Sequence, residues 1–247
     1  MERVELYRCR PPEGLQVPLL VRQSNIEDGM PTEAEVAEAV RVLKGVRAGG
    51  LSGMHTNESK GWLQEATRKK EPVRRWWDLL VRLVQRTLGY GTPPAELAWE
   101  TIFLISKGKG EYPYIGIFEV ALNVCAVVVN CQLKRGVSLH NNLHSFREGR
   151  GMGTVTLDAK LDQYLAGLAQ KPLSQVFLDT CMIYYSLDRG LCLEVLRSYG
   201  MGPNLACLLN SYWDHQRIVL KTGKFLGKEF LTGRGVTQGD PVPPHDL

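Results

Sequence analysis

One stretch of the sequence places a carboxylate at the end of a short apolar run, an arrangement that suits metal-dependent chemistry. Val176, Phe177 and Leu178 predict a buried strand, and Asp179 follows where this strand should end. A buried carboxylate needs a partner, and a metal ion is a common one. The alternative is an ordinary strand-to-helix turn in which Asp179 is a solvated or capping residue. From this stretch alone, both interpretations stay open.

Two glycine-rich turns carry cations that could contact phosphate. Lys107 and Lys109 lie in a turn expected between two strands, and Arg147 and Arg150 lie in a second turn among three glycines. A glycine-rich backbone lets a ligand approach closely. A solvated hairpin tip is the simpler explanation of the lysine turn when it is considered alone.

Helices that would position these residues follow from capping and periodicity. Thr32 and Glu35 have capping-box spacing and predict a helix start. Pro72 opens a long helix whose arginines predict a solvated basic face or, alternatively, a stripe that faces phosphate. The apolar face of that helix is expected to contain Trp76, Leu80, Leu83, Val84 and Thr87.

Further helices and two hairpins are predicted along the rest of the chain. An apolar helix is expected to end at residues 134–136, because Leu122, Ala126, Val129 and Leu133 share one face. Strand-rich segments bounded by turn residues predict the two hairpins. The remaining helices are predicted at 156–169, 190–199 and 203–213, and the hairpins at 100–120 and 217–231.

Composition limits the class of protein. The 247 residues are 44% hydrophobic and 23% charged, as in soluble globular proteins. No apolar run approaches the ~18 residues needed to span a bilayer, and the N-terminus lacks a signal-peptide pattern. We therefore expect an intracellular protein, in cytoplasm or nucleus, without a membrane partner. The net charge of +4 is compatible with a polyanion partner, and the six cysteines are expected to be buried free thiols.

Five segments, in order and spacing, resemble the reverse transcriptase domain of non-LTR retrotransposons. The match runs from about residue 32 to the C-terminus. Any one piece is a weak signal, whereas five pieces in the family's order are specific. The segments are RAGGLSGM, ISKGKGEYPYIGI, NNLHSFREGRGMGT, VFLDTCMIYYSLDR and RGVTQGDPVPP.

The resemblance implies an α/β (α+β) fold, the fingers and partial palm of a right-handed polymerase, with many helices around a small antiparallel sheet. It divides the chain into an irregular lead-in at 1–31, a fingers-like region at 32–170 and a partial palm at 171–247. The implied activity is RNA-templated DNA synthesis, a nucleotidyl transfer. The implied partners are an RNA template, a DNA primer and deoxynucleoside triphosphates.

The same resemblance assigns roles to single residues. Asp179 is implied to be the catalytic carboxylate that binds Mg²⁺, the cofactor of the family's reaction. Tyr184 stands at the position of an aromatic gate against the 2′-hydroxyl. Gln238 and Gly239 match the turn that lies along the incoming nucleotide.

Cations complete the implied site. Lys107 and Lys109 are expected to bind the triphosphate or template phosphates, so we group them with the nucleotide-binding residues. Arg147 and Arg150 are expected to bind the template backbone.

Some positions depart from the family pattern. Met182 and Tyr185 stand where the family has Lys and a second Asp. The family's Asp-Asp hairpin and thumb would come after Leu247, so we expect these 247 residues alone to be inactive in polymerisation. The alternative is a non-catalytic nucleic-acid-binding remnant of a retroelement. A third possibility is a chain that forms no stable protein, because an open sheet edge promotes aggregation.

Overall fold

A computed structural model describes the chain in seven stretches: residues 28–43, 49–68, 73–104, 114–136, 151–175, 183–222 and 225–236. Within them, helices surround a small mixed sheet, which confirms the predicted α+β class. Among these helices, none is both long and apolar enough to cross a bilayer. The helices are α1 (Glu33–Val42), α2 (Thr56–Thr67), α3 (Val73–Tyr90), α4 (Val120–Gly136), α5 (Met152–Leu168), α6 (Ile183–Ser186), α7 (Arg189–Ser198) and α8 (Pro203–His215), with a 3₁₀ turn at Ala95–Ala98.

The sheet consists of two hairpins placed side by side. Its strands are β1 (Trp99–Leu104), β2 (Tyr114–Phe118), β3 (Arg217–Thr222) and β4 (Phe225–Leu231), in the order β2-β1-β3-β4. Both predicted hairpins are confirmed, since β1 with β2 and β3 with β4 are antiparallel. The prediction of a wholly antiparallel sheet is wrong, because β1 and β3 are parallel. A long crossover through α4–α8 separates the two hairpins, and such a connection is what parallel neighbours require.

Most predicted helices are confirmed, with shifted ends. The start of α5 lies at Met152, four residues before the predicted position 156. Gly151 and Thr154 explain the earlier start, because the Gly151 N–H donates to Thr154 Oγ1 at 3.0 Å. A threonine side chain that satisfies a backbone group at a helix start stabilises that start.

The predicted capping box at the start of α1 is confirmed and is linked to α4. The Glu35 carboxylate accepts a hydrogen bond from the Thr32 N–H at 3.0 Å, and the Glu35 N–H donates to Thr32 Oγ1 at 3.2 Å. Arg135, at the end of α4, donates to Glu35 at 2.9 Å. The Thr32 backbone hydrogen bond, together with Arg135, holds the pKa of Glu35 below its ordinary value of 4.5, although partial burial acts in the opposite direction.

Replacing Glu35 by glutamine should therefore give a pH-dependent loss of stability. A lowered pKa in the folded state contributes stability above the unfolded pKa, and that contribution is lost as the pH falls through the folded pKa. We expect Glu35→Gln to lower the free energy of unfolding at pH 7 by about 0.5–1 kcal/mol. The difference from the unsubstituted protein should shrink as the pH falls from about 5 to 3. Urea titrations at several pH values measure both the loss of stability at pH 7 and its decrease at lower pH.

Glu38→Gln is the matched control for this prediction. Glu38 lies on the same helix, and within the described stretches its ion-pair partner is Arg41; both side chains are largely exposed. Such pairs contribute little, on the order of 0–0.5 kcal/mol. A Glu35→Gln defect that is equally large at pH 3 and pH 7 would show that the charge of Glu35 does not contribute.

The hydrophobic core lies where α1, α3, α4 and α8 meet. The face of α3 that enters it differs from the prediction, because Trp77 is 1% exposed and Trp76 is 55% exposed. The spacing of Trp76 and Leu80 is helical, but Trp77 shares the core side with Leu80, Val84 and Leu88. The Trp77 indole N–H donates to Glu33 at 2.8 Å, so its one polar atom is also satisfied.

One core joins residues from both sides of the predicted boundary at residue 170. Val36, Val124 and Leu209 belong to the same buried cluster. Hydrogen bonds also connect Asp28 to the start of α8. Its carboxylate accepts from the backbone N–H groups of Asn204 and Leu205 at 2.9 and 2.8 Å. A residue before α1 thus caps α8. The predicted division into lead-in, fingers-like and palm regions stays a prediction.

The cysteines only partly match the expectation of buried thiols. Cys125 and Cys192 are buried free thiols, and desolvation raises their pKa to about 12 and about 11. Cys131 is half-buried, and Cys207 is exposed, so the prediction is wrong for Cys207. The sequence around Cys207 is apolar, but this residue lies on the outward side of α8, opposite the core face.

Candidate active site

A single arginine holds together the segment that follows α6 and the segment that follows β4. Arg189 is the first residue of α7, and its guanidinium donates five hydrogen bonds. Nε bonds the Gly235 carbonyl at 2.7 Å, and Nη1 bonds the carbonyls of Trp213 and Thr232 at 2.9 Å each. Nη2 bonds Gln216 Oε1 at 2.7 Å and Thr232 Oγ1 at 2.8 Å. The rigid fork of an arginine is suited to such a set of fixed acceptors.

The same two segments are also joined through their backbones. The Val236 N–H donates to the Tyr184 carbonyl at 2.6 Å, and the Gly235 N–H donates to the Leu187 carbonyl at 2.9 Å. Gly235 has φ +76°, a left-handed conformation that glycine adopts without the cost of a Cβ. Gly235 and Val236, which lie near the start of the RGVTQGDPVPP segment, are therefore held against α6 and the residue that follows it.

A buried polar chain extends from Arg189 to the sheet. Gln216 accepts from Arg189 through its carbonyl and donates through Nε2 to Glu100 Oε2 at 2.8 Å. Glu100 lies on β1 and is fully buried. Because the two ends of this chain are a cation and a carboxylate, the central amide of Gln216 is oriented in one way only. Networks of this kind fix the geometry of the elements they join.

Only one of the sequence-predicted site residues lies in the described part of the chain. Tyr184 is in α6, where its half-buried side chain packs against the core and its carbonyl accepts from Val236. The predicted residues outside the described stretches are Asp179, Gln238, Gly239, Lys107, Lys109, Arg147 and Arg150. Along the chain, Asp179 precedes α6 by four residues and Gln238 follows Val236 by two.

A second contact joins the RAGGLSGM segment to Glu119, two residues after the ISKGKGEYPYIGI segment. Glu119, directly after β2, accepts hydrogen bonds from the Ser52 N–H at 3.0 Å and from the Ser52 hydroxyl. The loop comes so close that a Cβ on Gly50 would lie 2.6 Å from Glu119 Cδ. The GGLSGM loop thus packs on the end of the β1–β2 hairpin, and glycine at position 50 permits this close approach.

Sequence reasoning did not single out the residues that make these connections. Glu100 had a detectable signal, because a carboxylate inside the strand-forming run WETIFL must be paired if it is buried. Arg189 is the last residue of the VFLDTCMIYYSLDR segment, and Glu119 directly follows a strand. Neither position has a sequence pattern that predicts its hydrogen-bond partners. No sequence signal marks Gln216.

The described residues include no group of three or more His, Cys, Asp or Glu side chains that could hold a metal ion. Asp179 lies outside those residues, so the Mg²⁺ site stays a prediction. Sequence comparison found no protein-family model that matches the chain and no curated protein with significant similarity to it.

Proposed function

We propose that the chain forms the fingers and part of the palm of a reverse transcriptase-like domain, whose reaction is the RNA-templated addition of deoxynucleotides to a DNA primer. One observation carries the proposal. The segments VFLDTCMIYYSLDR and RGVTQGDPVPP lie far apart in the sequence, yet their described residues are joined by backbone hydrogen bonds and by Arg189. These are the two segments to which the resemblance assigns the nucleotide.

The proposed roles follow from the residue types. Asp179 would hold Mg²⁺, which supplies charge stabilisation to the attacking and leaving oxygens during phosphoryl transfer. Tyr184 would limit the space beside the 2′ position of the sugar. Gln238 would hydrogen-bond the incoming nucleotide, and Gly239 would let the backbone approach it.

Cations on the fingers side would bind phosphate. Along the chain, Lys107 and Lys109 lie between β1 and β2, and Arg147 and Arg150 precede α5. The contact between Ser52 and Glu119 supports this part of the proposal, because it joins the GGLSGM loop to the end of β2, and the lysines lie between β1 and β2 in the sequence.

The number of carboxylates limits the chemistry of these 247 residues. Asp179 is the one residue to which the family's motifs assign a catalytic carboxylate here, and two-metal transfer needs further ligands. Metal charge stabilisation contributes several kcal/mol, and each 1.36 kcal/mol is a factor of ten in rate. We therefore propose that the 247-residue chain binds its substrates but extends a primer at background rate.

A binding experiment tests the proposed function. The purified 247-residue protein is titrated with a labelled RNA–DNA primer–template, with and without Mg²⁺ and the next complementary deoxynucleoside triphosphate. We expect the triphosphate to tighten primer–template binding only with Mg²⁺, and Asp179→Ala to remove that effect. Asp162→Ala, which removes an exposed carboxylate of α5, is the matched control and should retain it. Tyr184→Ala should reduce the preference for the deoxy over the ribo form.

Each other outcome has a defined meaning. Primer–template binding that does not respond to Mg²⁺ and triphosphate would overturn the nucleotide site and favour the alternative, a non-catalytic nucleic-acid-binding protein. Failure to bind the primer–template at all would overturn both. Efficient primer extension that is lost in Asp179→Ala would support the site and contradict the expected inactivity.

A further inference from the structure

The outward side of α3 carries large apolar side chains in solvent. Trp76, Leu79 and Tyr90 are 55%, 56% and 70% exposed. Their spacing of three and then eleven residues places them on one side of an α-helix, away from the core face. Arg82 and Arg86 are exposed between them along the same side. We call these five residues the outer face of α3.

One ring of this face is held in a fixed orientation. Trp76 stacks on Trp62 of α2, with ring centroids 5.9 Å apart and planes 21° from parallel. Because Trp62 is half-buried, it orders Trp76 while more than half of the Trp76 surface stays in solvent. An ordered, exposed indole offers a planar stacking surface without the entropic cost of fixing it.

The charge of the outer face is positive. Arg82 and Arg86 are one turn apart, ~6 Å along the axis. The single carboxylate of α3, Asp78, accepts from Arg74 at 3.1 Å. The ligand that complements such a face therefore combines negative charge with flat apolar groups.

We propose that the outer face of α3 binds single-stranded nucleic acid, with bases stacked on Trp76 and Tyr90 and phosphates bound by Arg82 and Arg86. Aromatic platforms flanked by cations are how proteins bind single strands without sequence preference. The face extends ~21 Å along α3, from Trp76 to Tyr90, which is enough for several nucleotides. This site lies outside the proposed active site and does not depend on it.

An anionic membrane also combines negative charge with an apolar interior. The positions of the arginines on the outer face of α3 disfavour a membrane as the ligand. Helices that lie in a membrane interface keep their apolar residues on one side and their cations on the other. In α3, Arg82 and Arg86 lie between Leu79 and Tyr90 on the same side, while the opposite side is buried in the protein core. A face of this kind cannot bury its apolar residues in lipid without also burying Arg82 and Arg86.

The test measures binding of fluorescein-labelled 12-mers, oligo(dT) and oligo(U), by anisotropy over a salt series. Trp76→Ala should weaken binding roughly 5- to 100-fold at fixed salt, because a stacking surface is lost, and should leave the salt dependence unchanged. The double variant Arg82→Ala/Arg86→Ala should reduce the slope of log K against log salt by about 1.4, because two phosphate contacts are lost.

Arg41→Ala/Arg197→Ala is the matched control. Both arginines are exposed and lie on other helices, so this variant has the same net charge as the double variant of α3. Equal effects of the two double variants would overturn the proposal, since they would show binding to general positive charge. Binding of phosphatidylserine vesicles that depends on Trp76 and Arg82, without oligonucleotide binding, would also overturn it. Asp179→Ala should leave binding of these oligonucleotides unchanged. A failed test of the proposed active site would therefore leave the result for the outer face of α3 intact.

Discussion

Arg189→Ala is expected to destabilise the protein by roughly 3–4 kcal/mol, because five hydrogen bonds from one charged group are lost together. The guanidinium also lies over the Trp213 ring, 5.8 Å from its centroid. Removing it takes this donor from the carbonyls of Thr232 and Gly235, and leaves Gln216 Oε1 with the long 3.4 Å hydrogen bond from the Thr232 hydroxyl. Unpaired acceptors in a partly buried place cost more than the contacts alone. Urea denaturation measures the effect.

The same variant should loosen the contact between the two proposed site segments. Hydrogen exchange at the amides of Gly235 and Val236 should be faster in Arg189→Ala, because these amides are held against α6 beside the guanidinium. Arg189→Lys should retain the charge but few of the contacts, since an ammonium lacks the fork geometry. Arg197→Ala, an exposed arginine of the same helix, is the control. A loss below about 0.5 kcal/mol for Arg189→Ala, comparable to an ordinary surface substitution, would contradict this account.

Trp77→Ala is expected to cost about 3–5 kcal/mol, the range for removing a large aromatic residue from a core. Trp77 is among the largest fully buried side chains, and its loss also leaves Glu33 without the indole donor. Trp77→Phe should cost less, because the ring still fills much of the space. Thermal and urea unfolding of the unsubstituted protein, Trp77→Phe and Trp77→Ala measure the order of their stabilities.

The neighbouring Trp76→Ala is the matched control. It removes the same side chain one position earlier, where the ring is mostly exposed and touches Trp62. The expected loss is about 1 kcal/mol, the contribution of one aromatic pair. If Trp76→Ala were the more damaging change, the assignment of the core face of α3 would be wrong.

These two tryptophans show how far periodicity can predict the fold. The sequence predicts that a helix follows Pro72 and that Leu80, Val84 and Thr87 face inward, which the structure confirms. Trp77 begins the series Leu80, Val81, Val84 and Leu88, which has the spacing of one helix face. The spacing therefore favours Trp77, whereas the prediction rests on the four-residue spacing of Trp76 and Leu80. The position of Glu33, a residue of another helix, favours Trp77 through its hydrogen bond. Such tertiary partners are not encoded in the local pattern.

The sheet illustrates the same limit on a larger scale. Turn residues and β-branched runs predict each hairpin, because the signals are local. The parallel contact between β1 and β3 depends on how the helices between them pack, and no short pattern contains that information. For the candidate site, the resemblance predicts the chemistry-bearing residues, and a carboxylate within a strand-forming run signals Glu100. The roles of Arg189 and Gln216 are recognised only when their distances are known.

The pairing of β1 with β3 also has a consequence for how the chain is made. Trp99 of β1 pairs with Arg217 of β3, about 120 residues later along the chain. At synthesis rates of ~5–20 residues per second, the ribosome needs roughly 6–24 s to supply that partner. In the meantime, β1 can pair with β2 on one edge, but its other edge, where Ile102 will pair with Leu220, has no partner strand. A nascent chain therefore presents one edge of β1 to its surroundings for several seconds, and an unpaired strand edge of this kind can pair with another chain.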